Sequence, residues 1–173
     1  GYDKNNKKVT QQWGVTASGY RYYFGKNGAA YQADPYMVGK YGILIKKIGT
    51  QYYGFDVNGH TVKGIRVGRI NMYDAQKLYY FNPKTGAVDT KKTNLYRKYA
   101  AASTMTKKNN AAKIKKVLGK YKKCTISKED TCMLGGNGKD VTYVYDYVEL
   151  NVVRPTGKGS SAEIVSSVSV RQG

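Results

Sequence analysis

Histidine, cysteine, tryptophan and acidic groups are all scarce in this chain of 173 residues. The one histidine, His60, would have to serve any Ser-His-Asp or Cys-His arrangement. It follows a turn glycine, where a hairpin sets it on an exposed strand position, and we expect it to be incidental. The 11 Asp and Glu are scattered singly, apart from Glu129-Asp130 in a polar stretch. Glycoside hydrolysis needs two carboxylates facing each other across a bond. Asp56 and Asp89 could do so only by accident of folding. Gly135-Gly136-Asn137-Gly138 lacks the Lys-Ser/Thr that completes a phosphate loop and reads as a turn. An enzyme is therefore not expected.

The two cysteines, Cys124 and Cys132, flank the polar stretch Thr125 to Thr131. A hairpin closed by a disulfide and a pair of free thiols both fit this spacing. Zinc usually takes four ligands, and no such set exists. No metal and no cofactor are expected. The best apolar run, Tyr41-Gly42-Ile43-Leu44-Ile45, is too short to span a bilayer. The chain opens Gly1-Tyr2-Asp3-Lys4, and we expect an export signal to have been removed, with Gly1 a cleavage scar.

Positive charge is abundant: 30 Lys and Arg give a net +19 and a pI near 9.8. Such a chain is drawn to polyanions, whether nucleic acid, anionic lipid or a wall polymer. Lys supplies 24 of the 30. Lys is a hydrated point charge, whereas Arg reads phosphates and bases bidentately. The balance favours diffuse attraction and ranks nucleic acid third among the partners. Residues 1–98 carry 17 basic and 5 acidic groups, and residues 99–173 carry 13 and 6. Neither half is a basic tail on a neutral body.

Tyrosine is the outlier, with 18 against 3 Phe and 1 Trp. Much of it lies in one motif, two adjacent tyrosines running into a glycine turn. The copies are Tyr22-Tyr23-Phe24 to Gly28, Tyr52-Tyr53-Gly54-Phe55 to Gly59, and Tyr79-Tyr80-Phe81 to Gly86. Their closing glycines are 31 and 27 positions apart, a repeat-array period. Asn27-Gly28 and Asn58-Gly59 are strong hairpin signals. Each copy thus reads as an aromatic strand, a turn and a short second strand: Ala29 to Tyr31, His60 to Val62, and Ala87-Val88. Single hairpins cannot bury their faces alone and are expected to stack as a solenoid. Gly42 to Lys46 and Gly64 to Val67 read as intervening strands.

The pattern changes near Asn94. Ala111, Ile114, Val117 and Leu118 share a helix face, with Thr106 as N-cap and Gly119 as stop. Leu95 to Ala102 reads as a short joining helix. Asp140 to Tyr145, Val148 to Val152 and Glu163 to Val170 then alternate as strands. The expected fold is mainly β with an α+β C-terminal domain. A β-hairpin repeat solenoid is followed by a helix and a three- to four-stranded antiparallel sheet. The expected segments are a frayed lead-in over 1–12, repeats over 13–94, a linker over 95–104 and a small domain over 105–173.

Trp13-Gly14, Tyr22-Tyr23-Phe24, Asn27-Gly28 and the two later copies resemble the choline- and glucan-binding cell-wall repeats of Gram-positive surface proteins. That resemblance implies ligand-contacting aromatic faces at Trp13, Tyr22, Tyr23, Phe24, Tyr52, Tyr53, Phe55, Tyr79, Tyr80 and Phe81. Choline sites of that family lean on tryptophans, and this chain has one, which argues against choline and leaves glucan or another wall glycan open. The second half resembles a small β-lactamase-inhibitor-like α+β domain of secreted clostridial proteins. Its marks are Val117-Leu118-Gly119-Lys120, then Gly138 to Tyr145, then Ile164 to Val168. That fold implies protein binding more often than catalysis.

The leading expectation is a non-enzymatic, secreted or cell-surface module. It would hold a cell-wall glycan or a teichoic-acid-like anionic polymer. The alternative is a protein-interaction or inhibitor module using the C-terminal sheet through Tyr143, Tyr145 and Tyr147.

Overall fold

The computed structural model describes residues 1–71, 73–100 and 111–172. Among the described residues the chain is mainly β, with largely antiparallel sheets and three α-helices. In the first half the strands are β1 (Gln12–Val15), β2 (Arg21–Phe24), β3 (Ile43–Ile48), β4 (Gln51–Phe55), β5 (Gly64–Arg69) and β6 (Lys77–Phe81), with the one-turn helix α1 (Pro35–Val38) after β2. β1 pairs with β2, and a second sheet has the order β4-β3-β5-β6. Its central pair, β3 and β5, is parallel through Ile43–Gly68 and Leu44–Arg69. Gly68 is needed there, because a Cβ would sit 2.3 Å from Ile43 Cγ1.

The tyrosine strands close hairpins rather than open them. β2 pairs over four residues with β1, β4 over five with β3, and β6 over five with β5. The segments after the glycine turns contribute isolated bridges, such as Phe24–Ala30, Phe55–Thr61 and Phe81–Val88. They are too short to form a ladder and instead tie neighbouring repeats together. Thr61 N–H donates to Arg21 O at 2.7 Å, and Val88 N–H to Tyr52 O at 2.8 Å.

One turn recurs. Asp56 N–H donates to His60 O and Gly59 N–H to Asp56 O, each at 3.0 Å. Asp56 Oδ1 accepts from the N–H groups of Asn58 and His60, both at 2.9 Å. A short polar side chain satisfying its own turn is the reason Asp is favoured here. Asp3 repeats the arrangement, accepting from Asn5 and Lys7, with Asn6 at φ 59° where the other copy has Gly59 at φ 78°. Thr16 does the same with Tyr20. Residues 1–12 are therefore no frayed lead-in: they hold this turn, and Val9 is buried.

After the third repeat, Asp89 caps α2 (Thr90–Tyr99) by accepting from Lys92 N–H. This helix occupies part of the segment expected as a linker. α3 (Ala111–Leu118) buries Ala111 and Ile114, and Gly119 ends it at φ 77°. The proposed N-cap, Thr106, lies outside the described residues.

The last sheet is an antiparallel meander of β7 (Lys123–Asp130), β8 (Gly138–Val144), β9 (Val148–Pro155) and β10 (Ile164–Val170). β7 runs through most of the polar stretch between the two cysteines. Cys124 lies near the start of β7 and Cys132 two residues past its end, so the extended strand, at about 3.3 Å per residue, holds them well apart. A disulfide needs Cα atoms within about 7 Å, and in this structure the two cysteines are free.

Ile65, Val67, Leu78 and Tyr80 from the repeat half share one buried cluster with Ile114, Val141, Leu150 and Val165 from the other half. A smaller cluster joins Ile43, Ile45, Val62 and Phe81.

Candidate functional site

The ten aromatic residues expected at a binding face divide by environment. Phe55 and Phe81 are fully buried and Tyr80 nearly so. These three are core, which corrects their reading as contact residues. Tyr80 and Phe81 point to opposite faces of β6, but both faces are covered. Tyr80 packs on Tyr96 of α2, while Phe81 enters the smaller cluster. Tyr79 is half-buried beneath Arg97, whose Cζ lies 4.5 Å from the ring centroid. Tyr22 and Phe24 meet edge to face at 5.1 Å. Tyr52 is the most exposed of the ten.

Trp13, Tyr23 and Tyr53, with Phe55 and the unforeseen Tyr31, form a closed aromatic knot between the first two repeats. Centroid separations are 5.1 Å for Trp13–Tyr23, 4.8 Å for Trp13–Tyr53 and 5.7 Å for Tyr31–Phe55. Rings at such distances touch one another directly. The knot has no room for a ligand between its members.

The open concavity lies beside this knot. A cleft of about 460 Å³ is walled by three turns, around Ser18, His60 and Thr85. Its volume is that of a small-ligand site. Tyr20 and His60 stack at 4.3 Å with their planes 11° apart, making a flat platform on one wall. Arg21 spans toward the third turn, donating to Thr85 O at 3.1 Å. Lys63 and Lys84 stand exposed at the rim. Asp56 is the cleft's one carboxylate, and its Oδ1 is already committed to its own turn.

Arg66 and Tyr147 line the cleft from the two halves of the chain. Arg66 is only 7% exposed, and its Cζ lies 3.2 Å from the Tyr147 ring centroid. Its Nε is buried without a hydrogen-bond partner, and among the described residues no carboxylate pairs with it. Burial lowers the Arg66 pKa from its usual value, and Tyr147, Asp56 and Asp146 act against that.

The C-terminal tyrosines also divide. Tyr143 and Tyr145 are buried, so the face expected to present them is core, and only Tyr147 of the three is exposed. Tyr143 belongs to a clamp around Glu163, which is 1% exposed. Arg154 Nε and Tyr143 OH both donate to Glu163 Oε1 at 2.9 Å. Lys115 donates to Oε2 and lies over the Tyr143 ring. Burial raises the Tyr143 pKa, with the Lys115 hydrogen bond opposing it. This cluster ties α3 to β8, β9 and the residue just before β10, and we read it as structural. Among the described residues no group of His, Cys, Asp and Glu could hold a metal, and no helix is long and apolar enough to cross a membrane.

No family model and no curated protein matches the chain. Among solved structures it is similar to the modular Cpl-1 endolysin complexed with a peptidoglycan analogue. The wild-type endolysin gives a TM-score of 0.35 at 13% identity, covering 90% of this chain and 32% of that one. A mutant in complex with a tetrasaccharide-pentapeptide gives 0.37 at 14%, covering 92% and 32%. A truncated alternansucrase from Leuconostoc mesenteroides NRRL B-1355 gives 0.36 at 15%, covering 95% and 12%. The chain thus spans about a third of the endolysin's length or less.

Proposed function

We propose that this chain is a non-enzymatic binding module, secreted or held at the cell surface, that attaches to a cell-wall polymer. The observation that carries this reading is the cleft: four cationic side chains, Arg21, Lys63, Arg66 and Lys84, surround one carboxylate beside an aromatic platform. Sugars and polyols stack on such platforms, and cations in a walled cleft concentrate an anionic chain. The net charge of +19 adds long-range attraction over the whole surface. The repeats build the turns that wall the cleft, and the aromatic knot holds those turns in place.

The test is co-sedimentation with purified Gram-positive cell walls, intact and stripped of teichoic acid, at low and high salt. Binding to intact walls is expected, weakened but not abolished by high salt. Absence of binding to either preparation at any salt overturns the reading.

A protein-interaction or inhibitor role for the C-terminal sheet retains one supporting observation. β7 is an edge strand, with Ile126 exposed on it. Its neighbours Lys122, Lys123 and Lys128 are the kind of charge that blocks edge-to-edge pairing, which places this reading second.

A further inference from the structure

Resting on the wall-polymer reading, we propose that the cleft recognises a phosphodiester group of a polyol- or sugar-phosphate chain, with the Arg66 guanidinium as the anion-binding group and the Tyr20–His60 stack as the seat for the adjoining polyol or sugar.

The first argument is the state of Arg66. A desolvated cation with no carboxylate partner is costly to keep. Here it is more than nine-tenths buried, its Nε is unpaired, and it faces a cleft. The Tyr147 ring lies against the guanidinium, its centroid 3.2 Å from Cζ. The N–H groups of a guanidinium lie in its plane as a fork, and among the described residues the Nε of Arg66 has no partner. That fork matches two oxygens of one phosphate, which a Lys ammonium does not.

The second argument is charge placement. Lys63, Lys84 and Arg21 surround the same space. Asp56, the one negative group, has Oδ1 occupied by the N–H groups of Asn58 and His60, and Oδ2 faces His60 Nδ1 at 3.9 Å. An incoming anion meets four cations and one already-engaged carboxylate.

The third argument selects the polymer. Non-specific nucleic-acid binding uses a basic groove that tracks several nucleotides, with successive aromatic seats. This cleft holds one enclosed guanidinium and one stacked pair, and its about 460 Å³ suits one or two units of a chain with small spacers.

The test is titration of the full chain, read by fluorescence of its sole tryptophan, Trp13, which lies beneath Arg21 at the cleft wall. The probes are purified poly(glycerol phosphate) teichoic acid, phosphate-free peptidoglycan fragments, and single-stranded DNA of matched charge. Arg66→Gln is expected to weaken teichoic-acid binding by about tenfold or more. Lys26→Gln, an exposed charge outside the cleft, is expected to leave it near the wild-type value. If Arg66→Gln does not fold, the exposed rim pair Lys63→Gln/Lys84→Gln takes its place, with the same loss expected.

Equal losses for the cleft and Lys26 variants would overturn the proposal in favour of diffuse charge. Competition by DNA as strong as by teichoic acid would overturn the choice of polymer. Peptidoglycan binding unchanged by Arg66→Gln, without a teichoic-acid response, would sink the phosphodiester site and leave wall attachment standing. Arg66-dependent phosphate binding with no sedimentation on walls would do the reverse.

Discussion

The Arg21 guanidinium lies 4.4 Å from the centroid of the Trp13 ring, the place a bound quaternary ammonium would take. The chain's own cation has filled the aromatic site. Choline is therefore expected to leave Trp13 fluorescence and the melting temperature unchanged at concentrations that saturate a true aromatic cage. Arg21→Ala uncovers the ring, and weak quenching by choline is expected in that variant alone. Quenching of the wild type would show that Arg21 gives way.

Glu163 is expected to hold the C-terminal half together. Glu163→Ala leaves Arg154 and Lys115 without their shared carboxylate and the Tyr143 hydroxyl without its acceptor. Loss of one partner of a buried ion cluster costs about 3 kcal/mol, the low end of the range because both cations keep some access to water. Urea unfolding followed by circular dichroism measures it, and a loss too small to resolve would refute the clamp.

Tyr145 should set an alkaline limit. Its hydroxyl is buried without a partner among the described residues. Burial first, then Tyr143, Tyr121, Glu163 and Cys124, push its pKa from 10.0 to about 12. Between these values the unfolded chain releases the phenolic proton and the folded chain keeps it. The stability is fully present below the unfolded value and is lost as pH rises through the folded one. Tyr145→Phe removes both this dependence and an unsatisfied group. The variant is expected to gain about 1 kcal/mol near neutral pH and to lose stability less steeply on the alkaline side. A steeper alkaline decline than wild type would reverse the assignment.

Both cysteines should be available to a thiol reagent in the native protein without reductant. Cys132 is exposed and Cys124 is half-buried, so Cys132 is expected to react first with a thiol reagent. An unreduced native mass two hydrogens short would mean that a bridge forms after all.

Glycine turns and alternating strands were legible because their causes are local. Asn58-Gly59 turns as its dihedral freedom dictates, and Val141, Tyr143 and Tyr145 alternate into the core. Asn6 hid an equivalent turn because Asn marks positive φ less strongly than Gly. β7 was missed because an edge strand exposed along most of Lys123 to Asp130 carries no apolar period. The cleft was less legible still. Nothing local distinguishes Arg66 in Ile65-Arg66-Val67 from a solvated strand charge. Its burial is made by Tyr147, which reaches it only through tertiary packing. The paired tyrosines misled for a related reason: β6 is covered on both faces, so Tyr80 and Phe81 are both lost to the core.

In repeat proteins each unit touches only its neighbours, and melting can proceed unit by unit. The buried cluster that joins Ile65 and Val67 to Leu150 and Val165 denies this chain that freedom. The Arg66–Tyr147 contact crosses the same boundary. A molecule bound there grips both halves, so its binding free energy adds to the cooperativity of the whole. Occupancy would then register as a delayed, sharper loss of all structure together, and a fault in either half would be felt as weakened affinity.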